Sequence, residues 1–262
     1  MASSLIGGLI NNGYAKNKIT VTDPDSEKLE QLSKEFSVNT HTDNSLAVEN
    51  ADVIVLAVKP QVMRGVCDSL ISASKNKAPL FISIAAGIRS TDIDRWLGQD
   101  NAIVRCMPNT PALIQAGATG LYANPNCSHK QKDIAQQILS SAGITLWVDE
   151  ESQLDAVTAV SGSGPAYFFL FIEAMQQAGE QLGLSKETAS LLARQTALGA
   201  ARMSMEGTDD PATLRSKVTS KGGTTAAALA SFEASNFSHI VEQALTSARD
   251  RAIELADELG KL

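Results

Sequence analysis

Long apolar runs are missing from this 262-residue sequence. The longest, Val53 to Val58 and Ala78 to Ala86, fall far short of the roughly 20 residues that cross a bilayer, so no membrane segment is expected. The N-terminus lacks a basic region followed by an apolar core and a small-residue cleavage site, and a cytoplasmic location is the expectation. Cysteine is scarce. Cys67, Cys106 and Cys127 form no C-x-x-C pair, which argues against a disulfide framework and a cysteine zinc site, and they are expected to be reduced and structural. His41, His129 and His239 show no metal-ligand spacing and gather no Asp or Glu, so no metal site is expected. Positive charge is in deficit, with 22 Lys and Arg against 29 Asp and Glu and a formal charge of −7. Without a basic stripe to neutralise phosphates, nucleic acid is not an expected partner. No internal repeat or low-complexity linker interrupts the chain.

What is present is the balance of a folded globular protein, 44% hydrophobic and 19% charged, at a length that suits two domains. Short β-branched runs alternate with helical stretches up to about Val148, the pattern of a parallel sheet with crossover helices. The expected strands are Ile19–Thr22, Val53–Ala57, Leu80–Ile84, Ile103–Cys106, Thr119–Tyr122 and Thr145–Val148. Val53-Ile54-Val55-Leu56-Ala57 is apolar throughout, as a strand buried on both faces should be. Ser26 to Phe36 reads as a helix, and Ser128 to Ala142 as another with a serine cap. After Glu151 only helices are expected. Pro165 suits a first turn and opens a helix ending near Gly183; Ser185 caps the next, with Leu191, Leu192 and Ala197 on its apolar side. A long Ala- and Glu-rich helix over Phe237–Leu259 follows. The expected architecture is therefore α/β, with a dinucleotide-binding domain over 1–150 and an all-helical domain over 151–262 whose Ala-lined helices suit dimerisation or packing within one chain.

Several strand exits carry residues suited to a ligand, because doubly wound sheets bind ligands at the carboxyl edge. Ala57-Val58-Lys59-Pro60 closes one buried strand, and an ordinary strand exit is the equal alternative. Ser83-Ile84-Ala85-Ala86-Gly87 ends the next, with small side chains that admit a ring or a ribose, and packing against a helix is the equal alternative. Arg105-Cys106-Met107-Pro108-Asn109-Thr110-Pro111 follows, where two prolines fix a polar turn. Ser161-Gly162-Ser163-Gly164-Pro165 is read as a helix start with free N–H groups, with a structural cap as the alternative. Ser220-Lys221-Gly222-Gly223-Thr224-Thr225 repeats the device, and two glycines let an anion touch the backbone.

The stretch Asp210-Pro211-Ala212-Thr213-Leu214-Arg215 through Val218-Thr219-Ser220-Lys221-Gly222-Gly223-Thr224-Thr225, then Ala228-Leu229 and Phe232-Glu233, resembles the signature of pyrroline-5-carboxylate reductases. The Ala-Val-Lys-Pro, Ser-Ile-Ala-Ala-Gly, Met-Pro-Asn-Thr-Pro and Ser-Gly-Ser-Gly-Pro-Ala-Tyr segments match the same family in order and spacing, from Met1 to the end of the chain. The resemblance implies hydride transfer from NAD(P)H to the imine carbon of 1-pyrroline-5-carboxylate to give L-proline, the last step of proline biosynthesis. It also implies a Rossmann-like N-terminal domain, an all-helical C-terminal dimerisation domain, and a homodimer or an oligomer of dimers. Asn44 and Ala57, Val58, Lys59 and Pro60 would contact the cofactor, with Ala85, Ala86, Gly87, Met107, Pro108 and Asn109 near the nicotinamide. Ser220, Gly222, Gly223, Thr224 and Thr225 would bind the substrate, Gly222 to Thr225 holding its carboxylate and Thr225 lying near the imine nitrogen. Such chemistry needs neither metal nor histidine, since the cofactor carries the difficult step and the protein positions and stabilises charge.

Two departures from the family pattern stand out. Family members begin with a strand and a Gly-x-Gly-Asn-Met loop; this chain opens at Met1-Ala2-Ser3-Ser4-Leu5, and the first strand and pyrophosphate loop are expected to precede it through a late assigned start, with real loss as the alternative. Gly7-Gly8 falls inside a helix and is not a replacement. The second departure is Asp23, where a carboxylate would bond ribose hydroxyls and repel a 2′-phosphate. NADP(H) is the cofactor the resemblance implies ahead of NAD(H), and Asp23 weighs against that order. An equal alternative has Asp23-Pro24-Asp25-Ser26 making a turn that caps the helix. The rival activities are a hydroxyacid dehydrogenase, for which no acid/base lysine or histidine follows Ser161 to Pro165, and a cofactor-free scaffold or regulatory dimer.

Overall fold

The computed structural model describes residues 1–74 and 77–261. Helix α1 (Ala2–Asn11) is followed by β1 (Thr20–Thr22), α2 (Ser26–Phe36), β2 (Asn39–His41), α3 (Asn44–Val48), β3 (Val53–Leu56) and α4 (Pro60–Ser74). Then come β4 (Leu80–Ser83), α5 (Ser90–Trp96), β5 (Ala102–Met107), β6 (Gly117–Ala123), α6 (His129–Leu139) and β7 (Gly143–Trp147). The remainder is helical: α7 (Gln153–Val157), α8 (Gly164–Gln181), α9 (Lys186–Glu206), α10 (Pro211–Lys217), α11 (Thr224–Ala234) and α12 (Phe237–Leu259).

Local chemistry explains the helix starts. Asp25 accepts from the N–H groups of Glu27 and Lys28 at the head of α2, and Ser128 forms a capping box with Gln131 at the head of α6. Each satisfies donors that the first helical turn leaves orphaned. Every strand expected from the sequence is present, and β2 is an addition.

The strands form two sheets, a parallel β1-β2 pair and a five-stranded sheet in the order β3-β4-β5-β6-β7. The larger sheet is not wholly parallel, because β6 runs antiparallel to β5. Only residues 108–116 separate those two strands, largely in a 3₁₀ turn over Thr110–Ile114. A parallel return needs a crossover of about a dozen residues or more, so this link can only reverse direction. The inner strand β4 is buried on both faces, whereas β3, at one end of the strand order, leaves Val55 37% exposed, against the two-faced burial expected for it. Phe81 packs with Met63, Leu70, Ile88 and Ile93 on one side, and Leu80 and Ile82 with Leu5, Ala135 and Leu139 on the other.

The chain divides into two compact units, Met1–Ser163 with Ser247–Leu262, and Gly164–Thr246. The sequence-based division falls once, at 150. In the first unit the later part of α12 returns to the α/β fold, where Arg89 pairs with Asp257 at 2.6 Å and Arg95 donates to the Gly260 carbonyl at 2.8 Å. In the second unit α8 and α9 pack together, and Phe171, Phe232 and Phe237 join α8, α11 and α12 with ring centroids 5.3 to 6.5 Å apart. This unit leaves Phe168, Phe169, Leu170, Leu191, Leu198 and Met205 exposed.

Candidate functional site

Strand register builds a candidate site in the first unit. Leu56 pairs with Ser83 and Ser83 with Arg105, all in parallel strands. The exits Ala57–Pro60, Ile84–Gly87 and Met107–Asn109 therefore leave the sheet along one edge, the carboxyl edge where ligands of such sheets bind. Ala57, Lys59 and Ala86 are exposed there, Val58, Pro60, Gly87 and Met107 are half-buried, and Ala85, Pro108 and Asn109 are buried. Pro60 opens α4, a position that needs no N–H. Gly87 has φ +73°, and a Cβ there would stand 3.0 Å from Leu259 Cδ1, so a side chain is opposed by both backbone and space. Asn109 braces its loop: its Oδ1 accepts from Ala118 N–H at 2.9 Å, and its Nδ2 donates to the Ser161 carbonyl at 3.1 Å.

Asp23 and Asn44 belong to the smaller sheet's surroundings. Asp23 follows β1, and its Oδ1 accepts from Asp25 N–H at 2.9 Å. The turn-and-cap reading of Asp23 to Ser26 thus has its hydrogen bonds. Asn44 is the first residue of α3, half-buried beside its capping residue Asp43. An open hollow of about 340 Å³ lies against β1, β2 and α3, lined by Thr20, His41, Leu46 and Asn50 among others. None of the expected cofactor residues lines it, and the chemistry of the sheet edge makes that edge the better candidate.

A separate candidate site, in the second unit, is the start of α11. Gly222 has φ +72°, which hands the chain to extended Gly223 at the N-cap, and no side chain caps the helix. Gly223 N–H donates to the Ser220 carbonyl at 3.1 Å, and a Cβ on Gly223 would collide with Ser220 Oγ. Ser220, Gly222 and Thr224 are exposed and Thr225 is half-buried. A helix start without a side-chain cap, reached through two glycines, presents backbone donors to an anion.

The Ser161–Pro165 segment departs from its expected role. It is not a free helix start, because α7 runs through a π-helical turn over Thr158–Gly162 and α8 begins at Gly164. Ser163 N–H already donates to the Thr158 carbonyl at 2.8 Å. Gly162 serves packing as well, since a Cβ on it would stand 2.5 Å from Met107 Cε, whereas a Cβ on Gly164 would meet nothing.

One cluster escaped sequence reasoning. Arg105 lies buried in β5, its Nη1 donating to Glu151 Oε1 at 3.1 Å and its Nη2 4.0 Å from Asp155 Oδ1. Glu151 also accepts from Ser90 N–H and from Ser90 Oγ, both at 2.6 Å. Burial pushes the Asp155 and Asp92 carboxyls above the usual range, while Arg105 pulls against it at Asp155 and Arg95 at Asp92. The available signal was an arginine inside the apolar run Ile103-Val104-Arg105-Cys106, since a buried guanidinium demands a carboxylate. Burial also pushes the Cys67 thiol up to about 12 and raises the Cys106 thiol further, which leaves both inert. Among the described residues no group of three His, Cys, Asp or Glu is placed to hold a metal, and no helix is long and apolar enough to cross a membrane.

Comparison with known proteins gives this geometry a family. A pyrroline-5-carboxylate reductase from Pseudomonas aeruginosa is 54% identical over 261 residues, covering 100% of this chain and 95% of the relative. The chain belongs to the pyrroline-5-carboxylate reductase family. Residues 151–255 match the family of pyrroline-5-carboxylate reductase dimerisation domains, and residues 1–87 match the coenzyme F420-dependent NADP oxidoreductases. The solved pyrroline-5-carboxylate reductase of Coxiella burnetii superposes with a TM-score of 0.95 at 46% identity, over 97% of this chain and 94% of the other. That of Plasmodium falciparum, solved with NADP bound, gives 0.84 at 31% identity over 97% and 94%. The family is one of oxidoreductases, and its Rossmann-like N-terminal fold and mostly helical C-terminal part are those found in this chain.

Proposed function

We propose that the protein reduces 1-pyrroline-5-carboxylate to L-proline, with residues 1–150 holding the cofactor and 151–262 binding substrate and forming a homodimer. The observation that carries this reading is the pairing of three aligned strand exits with a separate uncapped helix start. One suits an extended cofactor and the other a small carboxylate. The family membership supports the same division of labour. Small side chains at Ala57, Ala85, Ala86 and Gly87 fit the close approach of a dinucleotide, and Asn44 with Ala57 to Pro60 would hold it.

A reduced nicotinamide supplies the hydride when bound. The chain's own residues do the rest. Ala85 to Gly87 and Met107 to Asn109 would hold the ring, the N–H groups of Gly222, Thr224 and Thr225 would bind the substrate carboxylate while that of Gly223 braces the turn on Ser220, and the Thr225 hydroxyl would hydrogen-bond near the imine nitrogen. NADP(H) is proposed ahead of NAD(H), and the compartment proposed is the cytoplasm. Exposed Phe168, Leu191 and Leu198 support the dimer.

Thr225→Ala tests the assignment. Loss of one hydrogen bond felt in the transition state should lower kcat/KM by roughly ten- to a thousandfold, about 1.4 to 4 kcal/mol, while NADPH affinity barely changes. Gly223→Val should do more, since a branched side chain meets Ser220 Oγ and covers the donors. Steady-state kinetics that matched the wild type in both variants would remove the substrate site from α11.

A further inference from the structure

We infer that Glu151 is a positioning residue that ties together the two strand exits assigned to the nicotinamide end of the cofactor. The inference rests on that assignment. Its physical basis is a single carboxylate shared by two loops. Glu151 stands in the turn between β7 and α7, and its two oxygens receive three donors: Ser90 N–H and Ser90 Oγ at 2.6 Å each, and Arg105 Nη1 at 3.1 Å. Ser90 lies just beyond Ala85–Gly87, and Arg105 lies just ahead of Met107–Asn109. A displacement of the carboxylate would therefore move both exits.

Burial makes the connection stiff. The Arg105 side chain is 6% exposed and that of Glu151 18%. At such depth a charged pair is screened little by solvent, and removing one partner strands the other in a medium of low dielectric. Asp155, 4.0 Å from the other side of the guanidinium, holds Arg105 from α7. A planar fork gripped on both sides has little freedom to rotate, which fixes the strand segment that carries it.

Packing alone does not do this work. Ile88 and Ile93 hold the start of α5 in the core, and Ile103 and Val104 hold β5. These contacts place the elements, but the exits beyond them end in small or exposed residues, Ala86 and Gly87 on one strand and half-buried Met107 on the other. The Glu151 bonds are the ones that fasten Ser90 to Arg105 across the two strands.

The test compares two ligands in the full chain: NADPH, and 2′-phospho-ADP-ribose, which lacks the nicotinamide. Glu151→Gln keeps the shape and one acceptor while discharging the pair, so it is the first variant. Glu151→Asp, which restores charge on a shorter arm, is the second. Calorimetry should show NADPH affinity falling about tenfold in Glu151→Gln, fragment affinity within twofold of the wild type, and partial recovery of NADPH affinity in Glu151→Asp. Equal weakening of both ligands, or a fall in Tm with neither affinity changed, would mean a purely structural role and overturn the inference. If the wild type itself bound fragment and NADPH equally, the nicotinamide assignment would fall and the inference with it. A loss confined to the variants thus separates the two ideas.

Discussion

Asp23 shows how one carboxylate can serve a turn and tune a ligand. Its Oδ1 is engaged by Asp25 N–H at 2.9 Å, and Lys28 Nζ stands 3.9 Å away, so part of its charge is offset locally. Its position directly after β1 is also where a doubly wound fold meets the adenosine ribose. Repulsion of a 2′-phosphate by this half-buried carboxylate, still open to water, is worth about 1 kcal/mol, or roughly fivefold. Asp23→Ser keeps an acceptor for the turn and removes the charge. The kcat/KM ratio of NADPH over NADH should then rise by about that factor. A ratio that stayed put, with Tm lowered, would leave Asp23 with the turn alone. The two sequence readings of Asp23 could not be separated beforehand because both need the same atom, and only the geometry shows that the turn bond is made.

At the scale of elements, what was legible followed local chemistry. The heads of α2 and α6 are set by Asp25 and Ser128, whose bonds reach only three residues along the chain. The bounds of α12, Phe237–Leu259, follow from its own composition. The strand β2, by contrast, is Asn39-Thr40-His41, a polar triplet that exists as a strand only by pairing with β1. The reversal at β6 depends on the short 108–116 link and its partner strand, and the Glu151 cluster joins residues 46 and 61 positions apart. Each of these is a tertiary fact. The same distinction yields a test in α1. Gly7 and Gly8 are neighbours in one helix, where Ala is favoured over Gly by about 1 kcal/mol. A Cβ on Gly7 would meet the Phe36 ring at 3.3 Å, which can give way, whereas a Cβ on Gly8 would run into the Ser141 carbonyl oxygen of a backbone that cannot. Gly7→Ala should be neutral or stabilising, and Gly8→Ala should cost about 1 to 3 kcal/mol in urea denaturation. Equal effects would mean that α1 does not press on Ser141.

For the whole molecule, the helical unit is the part least able to stand alone. Helix α11 has no buried residue, although its sequence Thr-Thr-Ala-Ala-Ala-Leu-Ala-Ser-Phe-Glu-Ala is apolar nearly all round. A helix of that kind belongs inside a core. Leu191 is 64% and Leu198 54% exposed on α9, and Phe168 is 68% exposed on α8. An apolar surface spread over several helices matches the kind of interface that resembles a domain core cut in half. If two copies complete that core, folding and association are one equilibrium, and stability depends on protein concentration. Sedimentation should therefore find dimers or multiples of them at micromolar concentration, and Tm should rise with concentration. Replacing Leu191 and Leu198 together by Glu places charges where the second copy would desolvate them, at a cost of several kcal/mol. That variant should dissociate and lose Tm, and its loss of reductase activity would follow from the loss of the dimer. A wild type that sedimented as a monomer, with Tm unchanged across a hundredfold dilution, would place the exposed leucines outside any interface.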